Sequence, residues 1–291
     1  QETGRAEEAR GKLEAVISMA VAHDYVAAEA ITRGNLANLL KAQGDIAGAL
    51  RHYELSLDKH WQANDRHETS VGVGNLANLL ADLGRYEEAI GHYVRGIAIL
   101  KQLGNLPQVG LQTSNLASVY AEQGDLQRAE RLYLDAIEIH RAAGSTSFLI
   151  FSLEQLLNIQ CHQGMSEQAA RTGDEALRIA RAGPSPRPLL GILNLLGLNE
   201  VYRGNLTAAA RYLDEASEVL TRCRDLYREC MHWQSRAYLY RAQTDADQFE
   251  AAVERAEALC AQIGPAESSW LYQTIAGLRS EITRGERPLP G

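Results

Sequence analysis

Covalent chemistry has little to work with in this chain. Its 291 residues hold four cysteines, Cys161, Cys223, Cys230 and Cys260, and no two stand in a CxxC spacing. That argues against zinc-ribbon and dithiol redox modules and reads as reduced core thiols of a cytoplasmic protein. HExxH, a Walker glycine loop and GxSxG are all missing, so the sequence motifs of metalloproteases, nucleotide hydrolases and serine hydrolases are absent and neither a catalytic residue nor a cofactor is expected. Lysines and arginines form no block and the formal net charge is -8, the wrong electrostatic footprint for a nucleic-acid partner. No run of about eighteen apolar residues offers a membrane span, and no charged-then-apolar leader with a cleavage site is present. Only seven prolines and 6% aromatics occur, and no proline falls inside a predicted helix. Beta structure is not expected from this Ala/Leu/Glu/Arg-rich composition.

What the chain does have is a ladder. Gly4, Gly44, Gly84, Gly124, Gly164 and Gly204 stand forty residues apart without a slip, the mark of one unit copied in tandem. Eight residues before the glycines from Gly44 onward comes Leu36, Leu76, Leu116, Leu156 or Leu196, followed by Ala37, Ala77, Ala117, Leu157 or Gly197. The small residue is where two helices touch. Five residues after the glycines comes Ala9, Ala49, Ala89, Ala129, Ala169 or Ala209, and nine after comes Leu13, Tyr53, Tyr93, Tyr133, Gly173 or Leu213. These are i, i+4 neighbours on one helical stripe. Each copy therefore reads as a helix A, a tight turn and a helix B. A second punctuation, at Asn64-Asp65, Gly104-Asn105, Gly144-Ser145, Gly183-Pro184 and Arg224-Asp225, closes helix B with residues that tolerate a left-handed backbone.

The heptads Gly34-Asn35-Leu36-Ala37-Asn38-Leu39-Leu40 and Gly74-Asn75-Leu76-Ala77-Asn78-Leu79-Leu80 are identical, and Ser114-Asn115-Leu116-Ala117-Ser118-Val119-Tyr120 is a near copy. With the helix B segments GRYEEAIGHYVRGIAIL and GDLQRAERLYLDAIEIH, the pattern resembles the tetratricopeptide repeat. The resemblance is to its long form of about 40 rather than 34 residues, similar to kinesin light chain, the Leu-Gly-Asn repeat adaptors and many bacterial regulators. It implies an all-α fold, an α-solenoid forming a right-handed superhelix of antiparallel helix pairs. Residues 1–24 read as helix B of an incomplete first repeat, with Gly4 at its opening turn. Residues 25–264 read as five full units and a degenerate sixth, in which Thr244-Asp245 replaces the glycine turn and about three extra residues precede the helix B phase at Phe249. Residues 265–284, with Trp270, Ile275 and Leu278, read as a capping helix and residues 285–291 as a tail. The start in mid-repeat suggests a segment of a longer protein.

In such arrays the resemblance implies that A helices line a concave groove, and there the chain carries two rows of amides. Asn35, Asn75, Asn115 and Gln155 form the first row; Asn38, Asn78, Ser118 and Asn158, three residues on, form the second. Residues three apart share a helix face. Asparagine is a mediocre helix former with a donor and an acceptor on a short arm, suited to holding the backbone of an extended peptide, as groove asparagines do in the proteins this chain resembles. The plainer alternative is that the amides bond across neighbouring helices. Lys41, Asp82 and Glu122 flank the rows as selectivity residues, and with Lys41 the only base among them a clamp for a C-terminal carboxylate is disfavoured. His52 and His92 share a register but have no partner at ligand spacing, so no metal site is expected. The sequence thus points to a non-enzymatic module binding a protein or peptide partner, with no nucleic acid and no membrane. The alternative is a sensor domain of a larger bacterial signal-transduction ATPase or transcriptional regulator, taking a small inducer or short peptide and acting on an effector domain in the same full-length chain.

Overall fold

One backbone event, repeated at a fixed interval, lays out the chain. The computed structural model describes residues 2–264 and 270–283; among them there are fourteen helices and no strand. The contacts divide the chain into residues 1–145 and 146–291. The first unit holds α1 (Glu2–Ala22), α2 (Val26–Ala42), α3 (Ile46–Gln62), α4 (Arg66–Asp82), α5 (Tyr86–Gln102), α6 (Leu106–Glu122) and α7 (Leu126–Ala142). The second holds α8 (Thr146–His162), α9 (Ser166–Ala182), α10 (Pro186–Tyr202), α11 (Leu206–Leu220), α12 (Leu226–Ala242), α13 (Ala246–Ile263) and α14 (Trp270–Thr283). Even-numbered helices from α2 to α12 are the A members of successive pairs and the odd-numbered helices that follow them are the B members.

The repeated event is a left-handed residue every twenty positions: Asp24, Gly44, Asn64, Gly84, Gly104, Gly124, Gly144 and Gly164, then Gly204, Thr244 and Gly264, with φ between 52° and 82°. The turn at Gly44 shows how it works. Gly44 N donates to Lys41 O at 3.1 Å and Asp45 N donates to Leu40 O at 2.9 Å, which satisfies the last carbonyls of α2. Asp45 then accepts from Gly48 N at 2.9 Å and caps α3. One residue thereby closes one helix and opens the next, leaving no slack for a loop. Asp65, Asp125 and Asp245 do the same. The rhythm breaks twice: at Gly183–Ser185, where Pro184 and Pro186 push the residues before them into extended backbone and Pro186 opens α10, and at 221–225, where α11 ends early at Leu220 and Arg224, expected to sit in such a turn, is not left-handed.

Small residues set the spacing of the pairs. Ala37, Ala77, Ala117, Ala49, Ala89 and Ala129 are fully buried in the first unit, as are Ala169 and Ala209 in the second. At Gly197 an added Cβ would meet Leu213 Cγ at 2.7 Å, so α10 and α11 touch where no larger side chain fits.

Two expectations need correction. Gly4 makes no turn: α1 runs through it from Glu2. The sixth unit contains no extra residues. Thr244 takes the left-handed conformation at φ 59° in the glycine's own register, and Phe249 occupies, buried, the slot held by Ala209 one unit earlier. The aromatic ring there misled the sequence reading, because position and not residue type fixes the phase. In the expected capping helix, α14 covers 270–283 and buries Ile275 and Leu278; residues 265–269 and 284, the side chain of Trp270 and the tail 285–291 lie outside the described residues.

Candidate functional site

In the first unit the two amide rows have different occupations. Asn38 and Asn78 accept hydrogen bonds from the hydroxyls of Tyr53 and Tyr93, and Ser118 Oγ lies 2.7 Å from Tyr133 Oη. In each pair the tyrosine sits on the B helix and the second-row residue on its A helix, fifteen positions earlier, so the bond clasps the pair together. The rings are buried, Tyr93 to 1% exposure. Burial drives the phenols above their ordinary pKa, Tyr133 to about 12, which keeps them neutral donors.

The first row is freer. Among the described residues Asn35 and Asn75 have no side-chain hydrogen bond in the protein, Asn35 being exposed and Asn75 half-buried. Asn115 spends its Nδ2 on Asn78 Oδ1 at 3.3 Å. The flanking charges meet each other: Lys41 Nζ lies 2.6 Å from Asp82 Oδ2, joining α2 to α4. Glu122 stands exposed at the end of α6.

Gln155 and Asn158 belong to the second unit and to a different setting. They line a cavity of about 130 Å³, partly open to solvent, between α8, α10 and α12. Its core is an ion pair, Arg228 Nη1 to Glu154 Oε1 at 2.6 Å and Nη2 to Oε2 at 3.3 Å. Gly191 makes the approach possible, since a Cβ there would lie 2.0 Å from Arg228 Nη1 and 2.1 Å from Glu154 Oε1. Arg228 is fixed from below by the turn, its backbone N donating to Asp225 at 3.2 Å. Burial raises the Glu154 carboxyl pKa, and the charge and hydrogen bonds of Arg228 oppose that rise.

Asn194 Oδ1 accepts from His232 Nδ1 at 2.8 Å, while Nε2 of the same ring lies 3.0 Å from Ser217 Oγ. Burial lowers the pKa of His232 to about 4, so it is a neutral strut. Three buried polar atoms around the cavity have no partner in the protein: Asn158 Oδ1, Asn194 Nδ2 and Gln234 Oε1. Among the described residues such atoms also occur away from the cavity, at His52, Gln163 and Asn199 for instance, and each calls for a physical explanation.

The sequence reading named Gln155 and Asn158 but missed Glu154, Asn194, Arg228 and Gln234. The signal was in the register. Gly34, Gly74 and Ser114 hold one column of the A helices in the first unit, and the same column reads Glu154, Asn194, Gln234 in the second. Small contact residues have become buried polar ones, at 8%, 2% and 2% exposure.

Among the described residues no group of three or more His, Cys, Asp or Glu side chains is placed to hold a metal ion, and no helix is long and apolar enough to cross a membrane. The four cysteines are buried and unpaired in disulfides.

Comparison with known proteins fits the geometry. The sequence pattern of the tetratricopeptide repeat matches residues 28–102, 65–139 and 111–182. No curated protein sequence gives a significant match. Among solved structures, BtubC (BKLC) from P. vanneervenii is similar at a TM-score of 0.67 and 20% identity, over 74% of this chain and 91% of that one. The apo form of RapI is similar at 0.62 and 15%, over 88% and 85%. A Rap protein complexed with Competence and Sporulation Factor is similar at 0.54 and 15%, over 89% and 66%. At these identities the shared property is the fold.

Proposed function

Because the chain belongs to the tetratricopeptide repeat family, we propose that it works by non-covalent recognition, as a non-enzymatic module that holds an extended peptide segment of a protein partner. The A-helix face of residues 1–145 is the binding surface in this reading, and its first amide row makes the contacts. The observation that carries it is the division of labour between the rows. Asn38, Asn78 and Ser118 are occupied by the tyrosine clasps, whereas Asn35 and Asn75 offer a carbonyl and an amide with no use inside the fold. A carboxamide pairs with both the C=O and the N–H of an extended backbone. The second row then positions the face rather than reading the ligand, Asn115 serves both ends, and the Lys41–Asp82 pair and Glu122 select side chains. A segment that orders on binding gives an exchangeable contact of modest affinity.

The test is affinity capture from the native lysate with wild type and the Asn35→Ala/Asn75→Ala double variant as parallel baits, followed by direct titration of the captured partner's segment. Loss of capture with unchanged helicity supports the reading. Equal capture by both baits sinks it.

A second reading, a regulatory module answering a small inducer or short peptide and acting on an effector domain of the same chain, draws support from the cavity in residues 146–291.

A further inference from the structure

The cavity of the second unit has a chemistry of its own, independent of the amide rows of the first. Its polar groups lie on three A helices in one register column, Glu154 on α8, Asn194 on α10 and Gln234 on α12, where residues 1–145 use glycine and serine to let helices touch. Asn158 tells the same story from another direction. In the first unit a second-row residue is clasped by a tyrosine fifteen positions later, but fifteen after Asn158 stands Gly173. The space that a side chain there would need is filled by Leu196, whose Cδ2 lies 2.3 Å from the position of an added Cβ. In the next pair both members are lost together, to Leu198 and Leu213. Asn158 keeps its amide without its clasp, and the amide carbonyl is buried at the cavity wall without a partner.

We propose that this cavity binds a small neutral ligand bearing an amide, with its N–H groups donated to the carbonyls of Asn158 and Gln234 and its C=O accepting from Asn194 Nδ2. The orientation of Asn194 is set by His232, which claims the other end of its amide. Charge argues for neutrality. The full charges at the centre of the cavity, Glu154 and Arg228, already face each other in a bidentate pair, so an ionised ligand would bring a charge with no counterpart. Leu195, Leu198 and Met231 supply an apolar wall for an aliphatic body beside the amide, the usual mix of a small-molecule pocket. A peptide unit with one aliphatic side chain meets all three requirements.

The inference goes beyond the peptide reading of residues 1–145 and stands or falls separately from it. The test titrates the full chain with N-acetyl-L-leucinamide, and in parallel with its cationic counterpart L-leucinamide and its anionic counterpart N-acetyl-L-leucinate, by calorimetry and by protein-observed NMR. The expected result is saturable binding of the neutral probe, with both charged forms weaker by about tenfold or more. Asn158→Leu and Gln234→Leu are each expected to weaken the neutral probe by a similar factor and, in the ligand-free chain, to raise the melting temperature by about 2–4 °C, since each removes a buried unpaired carbonyl. Arg131→Ala, exposed on α7 in the first unit, leaves probe binding unchanged. The proposal is overturned if the neutral probe fails to bind at about 10 mM, if the charged forms bind equally well, or if the leucine variants bind normally. Lower melting temperatures in those variants would also overturn it, by making the amides structural.

Discussion

Substitution at three neighbouring positions separates an amide that holds the fold from one that serves a ligand. Tyr93→Phe deletes the hydroxyl that Asn78 accepts, but Asn78 Oδ1 keeps the bond from Asn115 at 3.3 Å. The acceptor is not orphaned, so the loss is that of one net hydrogen bond, about 1 kcal/mol. Asn78→Ala is harsher. It leaves the Tyr93 hydroxyl on a ring with 1% exposure and removes its acceptor, which costs about 1–3 kcal/mol. The double variant should cost less than the sum of the two, with a coupling of roughly 0.5–1.5 kcal/mol, because each single change already breaks the same bond. Asn75→Ala removes a side chain without an internal partner and adds a better helix former, so its effect should lie within about 0.5 kcal/mol of zero. Urea melts followed by circular dichroism at 222 nm resolve these differences, as do thermal melts at about 2–4 °C per kcal/mol. If Asn75→Ala costs as much as Asn78→Ala, or if the double variant is strictly additive, the assignment of separate roles to the two rows is wrong.

Two further outcomes follow from the same structure. His232 is buried with its pKa lowered from 6.5 to about 4; the unfolded chain takes up that proton first on acidification, so stability is full above about pH 6.5 and falls as pH drops toward 4. The contribution is on the order of 3 kcal/mol, and His232→Gln should flatten this part of a stability-versus-pH curve measured by urea melts, whereas an unchanged slope would show that the ring is protonated in the fold. Thr244 holds a β-branched side chain at φ 59°, a conformation that costs about 1 kcal/mol or more; Thr244→Gly should therefore stabilise the chain by roughly that amount in the same assay.

The repeat was written plainly in the sequence where residue type and position coincide. Each ladder glycine from Gly44 to Gly204 is a turn, and the second-row and first-row amides fall on the A helices as the spacing requires. The reading failed where a position kept its conformation but changed its residue, as at Thr244 and Phe249, and where a residue kept its type outside the pattern, as at Gly4 inside α1. The tyrosine clasps were half legible. Tyr53, Tyr93 and Tyr133 were seen as a core stripe and Asn38, Asn78 and Ser118 as a groove row, but hydrogen bonds between two helices are not visible in the periodicity of either. The cavity was the least legible part. It depends on Arg228 reaching Glu154, seventy-four positions away in the chain, and on space made by Gly191, and neither follows from one helix's own pattern.

A left-handed residue every twenty positions also governs how such a chain can change in length. Each turn reverses the chain direction, so a block of twenty inserted between two turns would give every later helix the opposite assignment. Surfaces built for contact with neighbours would then face solvent, and the columns that carry amides would move to B helices. A block of forty restores the assignment. The identical heptads at 34–40 and 74–80 show two such blocks whose boundaries fall on Asp24, Asn64 and Gly104, all of them left-handed turns. Those turns are natural cut points. Removal of residues 65–104 would join Asn64 to Asn105 with a helix cap on the incoming side, and would delete one whole clasp rather than break two.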